Sequence, residues 1–208
     1  MEASWEFAFS VIVGVGLSAA CGFRVFIPPL VMCIAARAGH VPLGADFIWM
    51  ESNAALIAFS IAAVLEISAY YIPWLDNALD AIAAPAAVVA GTLATASMLG
   101  DVSPWLKWSL AAIAGGGSAG AVQITTTVTR GASSMLTGGM GNWAVSTGEG
   151  IGAVVTAILA IVLPIVVFIG FMIFAGYVIY KNPIRMYREW RARNESVEPL
   201  KEPDVLVV

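Results

Sequence analysis

The chain has little charge and few of the side chains that do chemistry in soluble enzymes. Charged residues make up 12 % of its 208 residues, and it has one histidine and two cysteines. Soluble domains are roughly 25 % charged, so this chain cannot cover a globular core with a charged surface. These shortages exclude soluble enzymes, nucleic-acid-binding proteins and disulfide-rich scaffolds.

Apolar residues are abundant, at 60 % of the chain. A helix needs about 20 residues to cross a membrane. By this measure the apolar runs of the sequence predict five or six spans, with shorter or more polar segments around Arg24 and Arg130. The runs are 5–21, 25–36 (too short to span alone), 53–72, 81–99, 105–121 and 151–180. No segment alternates with a period of two, which excludes a membrane barrel. We therefore predict an all-α, polytopic transmembrane bundle with broken or short helices.

Two similar stretches, 16–20 and 116–120, each precede an arginine, Arg24 and Arg130. The similarity predicts an internal duplication with halves of about 5–100 and 105–180, because transporters are often built from repeats. The alternative is a chance match of small residues, and the sequence leaves both open. Residues 1–180 are predicted to form one transmembrane helical domain in either case.

The tail from 181 to 208 is different in character. Five basic residues fall within 181–193, directly after the last apolar run. Basic residues beside a span are retained in the cytoplasm, so we expect a cytoplasmic C-terminus in a chain that lies in the cell membrane. The tail is predicted to be basic and then flexible. The orientation of the N-terminus stays open.

Four ionisable residues lie in or beside the apolar runs: Arg24, Glu66, Arg130 and Glu149. A charge inside a membrane costs free energy, so such residues face the bundle interior or water and usually have a partner. One interpretation is that they line a path for a solute or ion, with helix breaks near both arginines. The alternatives are that they pair with each other to hold helices together, or that Arg24 and Arg130 extend to the lipid head groups. Glu149 could also lie at a helix N-terminus, where a carboxylate is favoured.

Residues 123–130 form the most unusual stretch, with threonine at four of eight positions. Gln123 and Thr127 are four residues apart, and Arg130 follows three residues later, so the three share one helix face. We predict that this stripe forms one wall of a hydrophilic passage. Helix packing is the alternative. The glycines after Thr137 predict a flexible turn.

Asp76 and Asp80 are one helical turn apart, an arrangement in which two carboxylates can hold a hard cation. We therefore name them as a candidate metal site, the alternative being an acidic helix start at the water interface. The chain has no nucleophile elbow, zinc-binding H-E-x-x-H or phosphate-binding loop. We predict that it is not an enzyme and has no cofactor, although the same two aspartates leave an enzyme acting on lipid as an alternative.

Four blocks of the sequence resemble a family known as domain of unknown function 4126, which consists of small bacterial integral membrane proteins. The blocks are 16–18 with 22–28; Glu66 with Pro73, Asp76 and Asp80; Pro85 with 90–91; and 120–130 with Asn142, Ser146 and Glu149. The resemblance implies a helical bundle in the bacterial inner membrane and no established activity. Similar members often have an acid at the positions of Tyr70 and Gly150 and a base near Thr126, so any charge relay in the family is incomplete here.

The leading functional hypothesis is a transporter or channel for a small polar solute or ion. The alternative is a membrane scaffold or accessory subunit that binds other helices through its glycine-rich faces and transports nothing. The expected partners are the lipid bilayer, further copies of the chain in a homo-oligomer, and the solute. No nucleic acid is expected.

Overall fold

The computed structural model describes the main chain of residues 2–100 and 102–195 and the side chains of 4–72, 82–100 and 102–180. Over these residues the fold is helical and contains no strand, which confirms the predicted all-α class. The α-helices are α1 (Glu2–Cys21), α2 (Ile27–Arg37), α3 (Asn53–Ala69), α4 (Pro73–Met98), α5 (Pro104–Leu110), α6 (Gly117–Thr137), α7 (Asn142–Val162) and α8 (Pro164–Glu195). A 3₁₀ helix (Ala45–Glu51) precedes α3, and a π-helical stretch (Ala111–Gly116) joins α5 to α6.

The chain divides into two compact units, Met1–Phe171 and Met172–Val208. The first unit holds α1 to α7 and the residues discussed below. The second begins within α8. The division into a domain of 1–180 with repeat halves, followed by a tail, stays a prediction.

The break predicted after the first apolar run is present between α1 and α2. Gly22 begins it and packs against α6, where a side chain would overlap the Ala119 carbonyl. Pro28 and Pro29 then fall in the first turn of α2, where the missing N–H groups have no helical acceptor to lose. With 11 residues, α2 is only about 16 Å long. It is a short helix, as the length of its apolar run predicted.

Helix α3 begins at a regular N-cap, because Ser52 Oγ accepts a hydrogen bond from the Ala55 amide at 3.1 Å. It ends at Ala69, three residues before the predicted end of this span. The preceding 3₁₀ helix bends away from it by 71°. Glu66 consequently lies in the last turn of α3.

The helix break predicted near Arg130 is wrong. Helix α6 continues through Arg130 to Thr137 and ends at Gly138, whose φ of +63° is the left-handed conformation that glycine adopts easily. The predicted turn lies there, between α6 and α7. Threonine does not break the helix because its hydroxyl bonds to the preceding turn, as Thr129 Oγ1 does to the Thr125 carbonyl at 2.9 Å.

The last apolar run, predicted as one long segment, is divided at Pro164. Helix α7 ends at Val162, and Leu163 leaves the helical region with φ −132° and ψ 57°. Proline disfavours the helical conformation in the residue before it, and Pro164 is the first residue of α8. Helix α7 begins at Asn142, so Glu149 lies two turns inside it rather than at its N-terminus.

Small side chains hold α1, α4, α6 and α7 close together. Ser18 Oγ on α1 donates to the Gly91 carbonyl on α4 at 2.5 Å and lies 2.8 Å from Thr95 Oγ1. A Cβ at Gly91 would lie 2.5 Å from Ala119 Cβ on α6. On the other side of α1, a Cβ at Gly16 would lie 2.9 Å from Ala160 Cβ on α7. The glycines therefore serve close packing within this chain.

Two helices of the described part are long and apolar enough to cross a membrane, at Ser4–Cys21 and Asn142–Val162, and a third span results if the bent pair Ala45–Glu51 and Asn53–Ala69 counts as one. The prediction of five or six full spans exceeds this number. Three further apolar stretches of helix, each of 10–17 residues among the described side chains, lie at Ile27–Arg37, Ile82–Met98 and Pro164–Tyr180. The last two are parts of α4 and α8, which run from Pro73 to Met98 and from Pro164 to Glu195.

Candidate functional site

Arg24 lies in the break between α1 and α2 and is 2 % exposed. Its Nη2 donates to the Ser146 carbonyl oxygen at 2.7 Å and to Ser146 Oγ at 2.5 Å, both on α7. Its Nε and Nη1 have no hydrogen-bond partner among the described residues. A buried donor without an acceptor is costly and therefore uncommon in folded proteins. Arg24 is thus a buried cation whose hydrogen bonds are incomplete.

Glu149 is the buried counter-charge of two arginines. Its carboxylate accepts hydrogen bonds from Arg130 Nε, at 3.0 Å to each oxygen, and also from Arg130 Nη2. Arg24 Nη2 lies farther away, 3.6 Å from Glu149 Oε2, beyond hydrogen-bonding distance. Arg130 therefore interacts more closely with the Glu149 carboxylate than Arg24 does, and the positive charge of Arg24 is less completely neutralised.

Tyr70, the residue after α3, joins the two arginines. Arg24 Cζ lies 3.8 Å from the centre of its ring, and Arg130 Cζ lies 4.1 Å from it. The face of an aromatic ring attracts a cation, most strongly where water is excluded. The ring therefore helps to stabilise the two guanidinium groups that share the Glu149 carboxylate. Its face does not supply a hydrogen-bond acceptor.

Glu66 contacts the main chain of the break between α1 and α2, and its predicted place on a path for a solute stays a prediction. Its carboxylate accepts from the Val25 amide at 2.7 Å and from the Phe26 amide at 3.0 Å, just before α2. Free amides at a helix start favour a carboxylate through hydrogen bonding and the helix dipole. Glu66 thus holds the main chain of the break between α1 and α2, where Arg24 lies, by accepting hydrogen bonds from backbone amides.

The predicted stripe of Gln123, Thr127 and Arg130 is only partly brought together. Gln123 and Arg130 are buried, but Thr127 is exposed and receives a long hydrogen bond of 3.4 Å from Gln123 Nε2. Thr126 takes the buried position instead. Within 123–130, the buried positions on α6 are therefore Gln123, Thr126 and Arg130, spaced by three and then four residues. The predicted stripe used a spacing of four and then three, which placed Thr127 in the middle.

A cavity of about 350 Å³ reaches Arg24 from the space between α3 and α7. Ser146, Thr147 and Tyr71 contribute hydroxyl-bearing side chains to its lining, and Tyr71 Oη and Thr147 Oγ1 are 2.9 Å apart. The rest of its wall is apolar and is formed by Ile27, Ile67, Ile151, Val154 and Val155, with Gly150 between them. Its volume is in the range of small-molecule sites, roughly 300–1,000 Å³.

Tyr70 and Ser146 belong to the site but were not among the residues predicted from the sequence. Helical spacing contained the necessary signal for both. Tyr70 follows Glu66 by four residues and Ser146 precedes Glu149 by three, so each lies about one helical turn from a charged residue. Polar residues one turn from a charge in an apolar run are therefore candidates for the same site.

The candidate metal site at Asp76 and Asp80 lies outside the described side chains. Helix α4 begins at Pro73, so both residues lie near a helix start, as in the alternative interpretation. Within the side chains that are described, no group of three or more His, Cys, Asp or Glu residues is placed to hold a metal ion. The metal prediction is neither supported nor opposed by this structure.

Residues 11–182 match the family described as Domain of unknown function (DUF4126). The chain belongs to that family. No curated protein and no solved structure matches it. The DUF4126 match covers α2 to α7 in full, so it includes Arg24, Glu66, Tyr70, Arg130, Ser146 and Glu149. The family description assigns no activity, so the function is inferred from the geometry of the site.

Proposed function

We propose that this protein is a membrane transporter or channel for a small polar solute or ion and that the cavity at Arg24 admits the solute. The observation that carries the proposal is the incomplete bonding of Arg24, whose Nε and Nη1 have no acceptor among the described residues. These donors require an acceptor from elsewhere, and an anion supplies both the acceptor and the missing negative charge.

The surrounding contacts give Arg24 a fixed position. Ser146 holds Nη2, the ring of Tyr70 stacks on the guanidinium, and Glu66 fixes the backbone on its C-terminal side. A binding group held by neighbours at a helix break is typical of transporter sites, in which broken helices place polar groups at membrane depth. The short α2 and the buried charges both fit this arrangement.

The scaffold alternative receives less support from the packing. It assigned the glycine-rich faces to partner helices, but side chains at Gly91, Gly115 and Gly116 would contact atoms of this same chain. Those faces are already occupied. The homo-oligomer, the inner-membrane location and the cytoplasmic C-terminus remain part of the proposal, as does the absence of enzymatic activity.

A flux screen in proteoliposomes tests the proposal. Purified protein would be reconstituted at matched density as wild type, Arg24→Gln and Glu66→Gln, and uptake of inorganic anions, cations and small carboxylates would be measured. We expect one class of solute to be taken up by wild type above protein-free liposomes and to fall strongly with Arg24→Gln, since this change removes the charge at the cavity.

Arg37→Gln is the matched control, because Arg37 is an exposed arginine on α2 that donates to the Glu51 carbonyl, away from the cavity. Its flux should equal that of wild type. If wild type and both site variants leak equally for every solute tried, the transport proposal is wrong. If a purified complex with a second protein is needed for a stable fold, the scaffold alternative is favoured.

A further inference from the structure

The lining of the cavity at Arg24 combines polar and apolar residues. Arg24, Ser146 and Thr147 all line it, and one to two turns further along α7 the lining residues Ile151, Val154 and Val155 are apolar. A site for an inorganic ion would be polar throughout, since a hydrated ion gains nothing from an apolar wall. The lining therefore fits a molecule with an anionic head and an apolar body.

The apolar side chains at the mouth are themselves exposed on the flank of α7 and α3. Ile151 is 61 % exposed and Val155 47 %, and Ile67 on α3 lines the same edge. Helix α7 is one of the two described helices long and apolar enough to span a membrane, and the exposed apolar side chains of a spanning helix face hydrocarbon. The mouth of the cavity consequently opens toward the bilayer, and the most direct entry is from lipid.

We infer that the cavity binds an amphiphilic anion, a molecule with an anionic head group and a hydrocarbon chain, whose head is held by Arg24 and whose chain lies against Ile67, Ile151 and Val155. This assignment rests on the proposed transport function and narrows its solute from any small polar solute or ion to an organic anion with a hydrocarbon chain. Both a free fatty acid and the head group of an anionic phospholipid have this chemistry.

Ligand-induced thermal stabilisation of the full chain in dodecylmaltoside tests the assignment, because a ligand that binds the folded state raises its melting temperature. The probes are octanoate, octanol and acetate. Octanoate should stabilise the wild type at concentrations about tenfold lower than either of the others, since octanol lacks the charge and acetate lacks the chain. Equal stabilisation by octanol and octanoate would overturn the assignment.

Gly150→Leu is the decisive variant, because Gly150 lines the cavity and a Cβ there would contact nothing within 4 Å. The leucine fills the cavity while Arg24 keeps its contacts. Gly148→Leu is the matched control, since Gly148 is on the same helix, is also free of neighbours and does not line the cavity. We expect Gly150→Leu to need about tenfold more octanoate and Gly148→Leu to match wild type. Identical behaviour of the two variants would overturn the assignment.

A competition arm identifies the source of the ligand. Palmitate that weakens the effect of octanoate points to a free fatty acid, and phosphatidylglycerol that does so points to a lipid head group. Competition by neither contradicts the assignment. Binding that depends on Gly150 together with no flux for any solute would leave the ligand assignment standing and remove the transport function. Flux that depends on Arg24 without octanoate binding would leave the transport function standing and remove the ligand assignment.

Discussion

Arg24 and Ser146 are 122 positions apart in the chain and are joined by two hydrogen bonds, from Arg24 Nη2 to the carbonyl oxygen and to Oγ of Ser146. This contact attaches the break between α1 and α2 to the second turn of α7. It also uses only one nitrogen of the guanidinium. The rest of Arg24 meets the ring of Tyr70 and lines the cavity, so the guanidinium is anchored at one nitrogen, while its other two nitrogens are buried without an acceptor among the described residues.

Ser146→Ala removes the Oγ acceptor and leaves the carbonyl in place. Because hydrogen bonds to charged groups are worth more than neutral ones, we expect the free energy of unfolding to fall by about 1.5–3 kcal/mol. Sodium dodecyl sulfate titration in mixed micelles measures it. Ser68→Ala is the control, since the Ser68 hydroxyl is exposed and bonds only to the Val64 carbonyl of its own helix. Equal effects of the two substitutions would contradict the anchoring role.

Glu149→Gln should be among the most damaging substitutions in the chain. It leaves Arg24 and Arg130 buried without their shared carboxylate, and breaking a buried ion pair costs about 3–5 kcal/mol. Arg130→Gln should be similarly harmful. In the double variant the loss should be well below the sum of the two, because the partners are removed together. Additive losses in the same titration would show that the ion pair contributes nothing to stability.

Tyr70→Phe and Tyr70→Leu separate the ring from the hydroxyl. The phenylalanine ring keeps its face toward both guanidinium groups, whereas leucine removes the π system. A desolvated cation–π contact is worth about 2 kcal/mol, so Tyr70→Leu should be less stable than Tyr70→Phe by at least that amount. A difference near zero in the unfolding titration would mean that the ring only fills space.

Gly91→Ala tests the close approach of α4 to α1 and α6. The new Cβ would lie 2.5 Å from Ala119 Cβ and 3.0 Å from the Gly115 carbonyl, so the helices must separate. Overpacking of this kind costs about 1–3 kcal/mol.

Gly117→Ala is the matched control for that substitution. Its Cβ would meet nothing within 4 Å, and alanine is the better helix former by roughly 1 kcal/mol. We expect its stability to be unchanged or higher. A variant at Gly91 that melts like the one at Gly117 would mean that the packing at Gly91 tolerates a methyl group.

Most of the fold was predictable because it depends on local chemistry. The all-α class follows from the apolar composition, and the break at Gly22 and the turn at Gly138 follow from glycine placement. The errors concerned helix boundaries. Residues around Arg130 are polar enough to look like a break, but their hydroxyls bond within the helix, and only the structure shows that α6 continues.

The site was predictable as a set of residues and not as an arrangement. A buried charge in an apolar run is visible in the sequence, which is why Arg24, Arg130 and Glu149 were named before they were found in contact. Whether Arg24 or Arg130 forms the closer ion pair with Glu149 depends on side-chain packing across four helices. No spacing along the chain contains that information, and the same holds for the free donors of Arg24.

An experimental structure of the full chain with 8-bromooctanoate tests the central claim most directly. The account predicts the carboxylate within hydrogen-bonding distance of Arg24 Nε or Nη1 and the bromine signal along Ile151 and Val155 on α7. A bromine signal confined to other cavities, with the Arg24 donors satisfied by protein atoms, would contradict it.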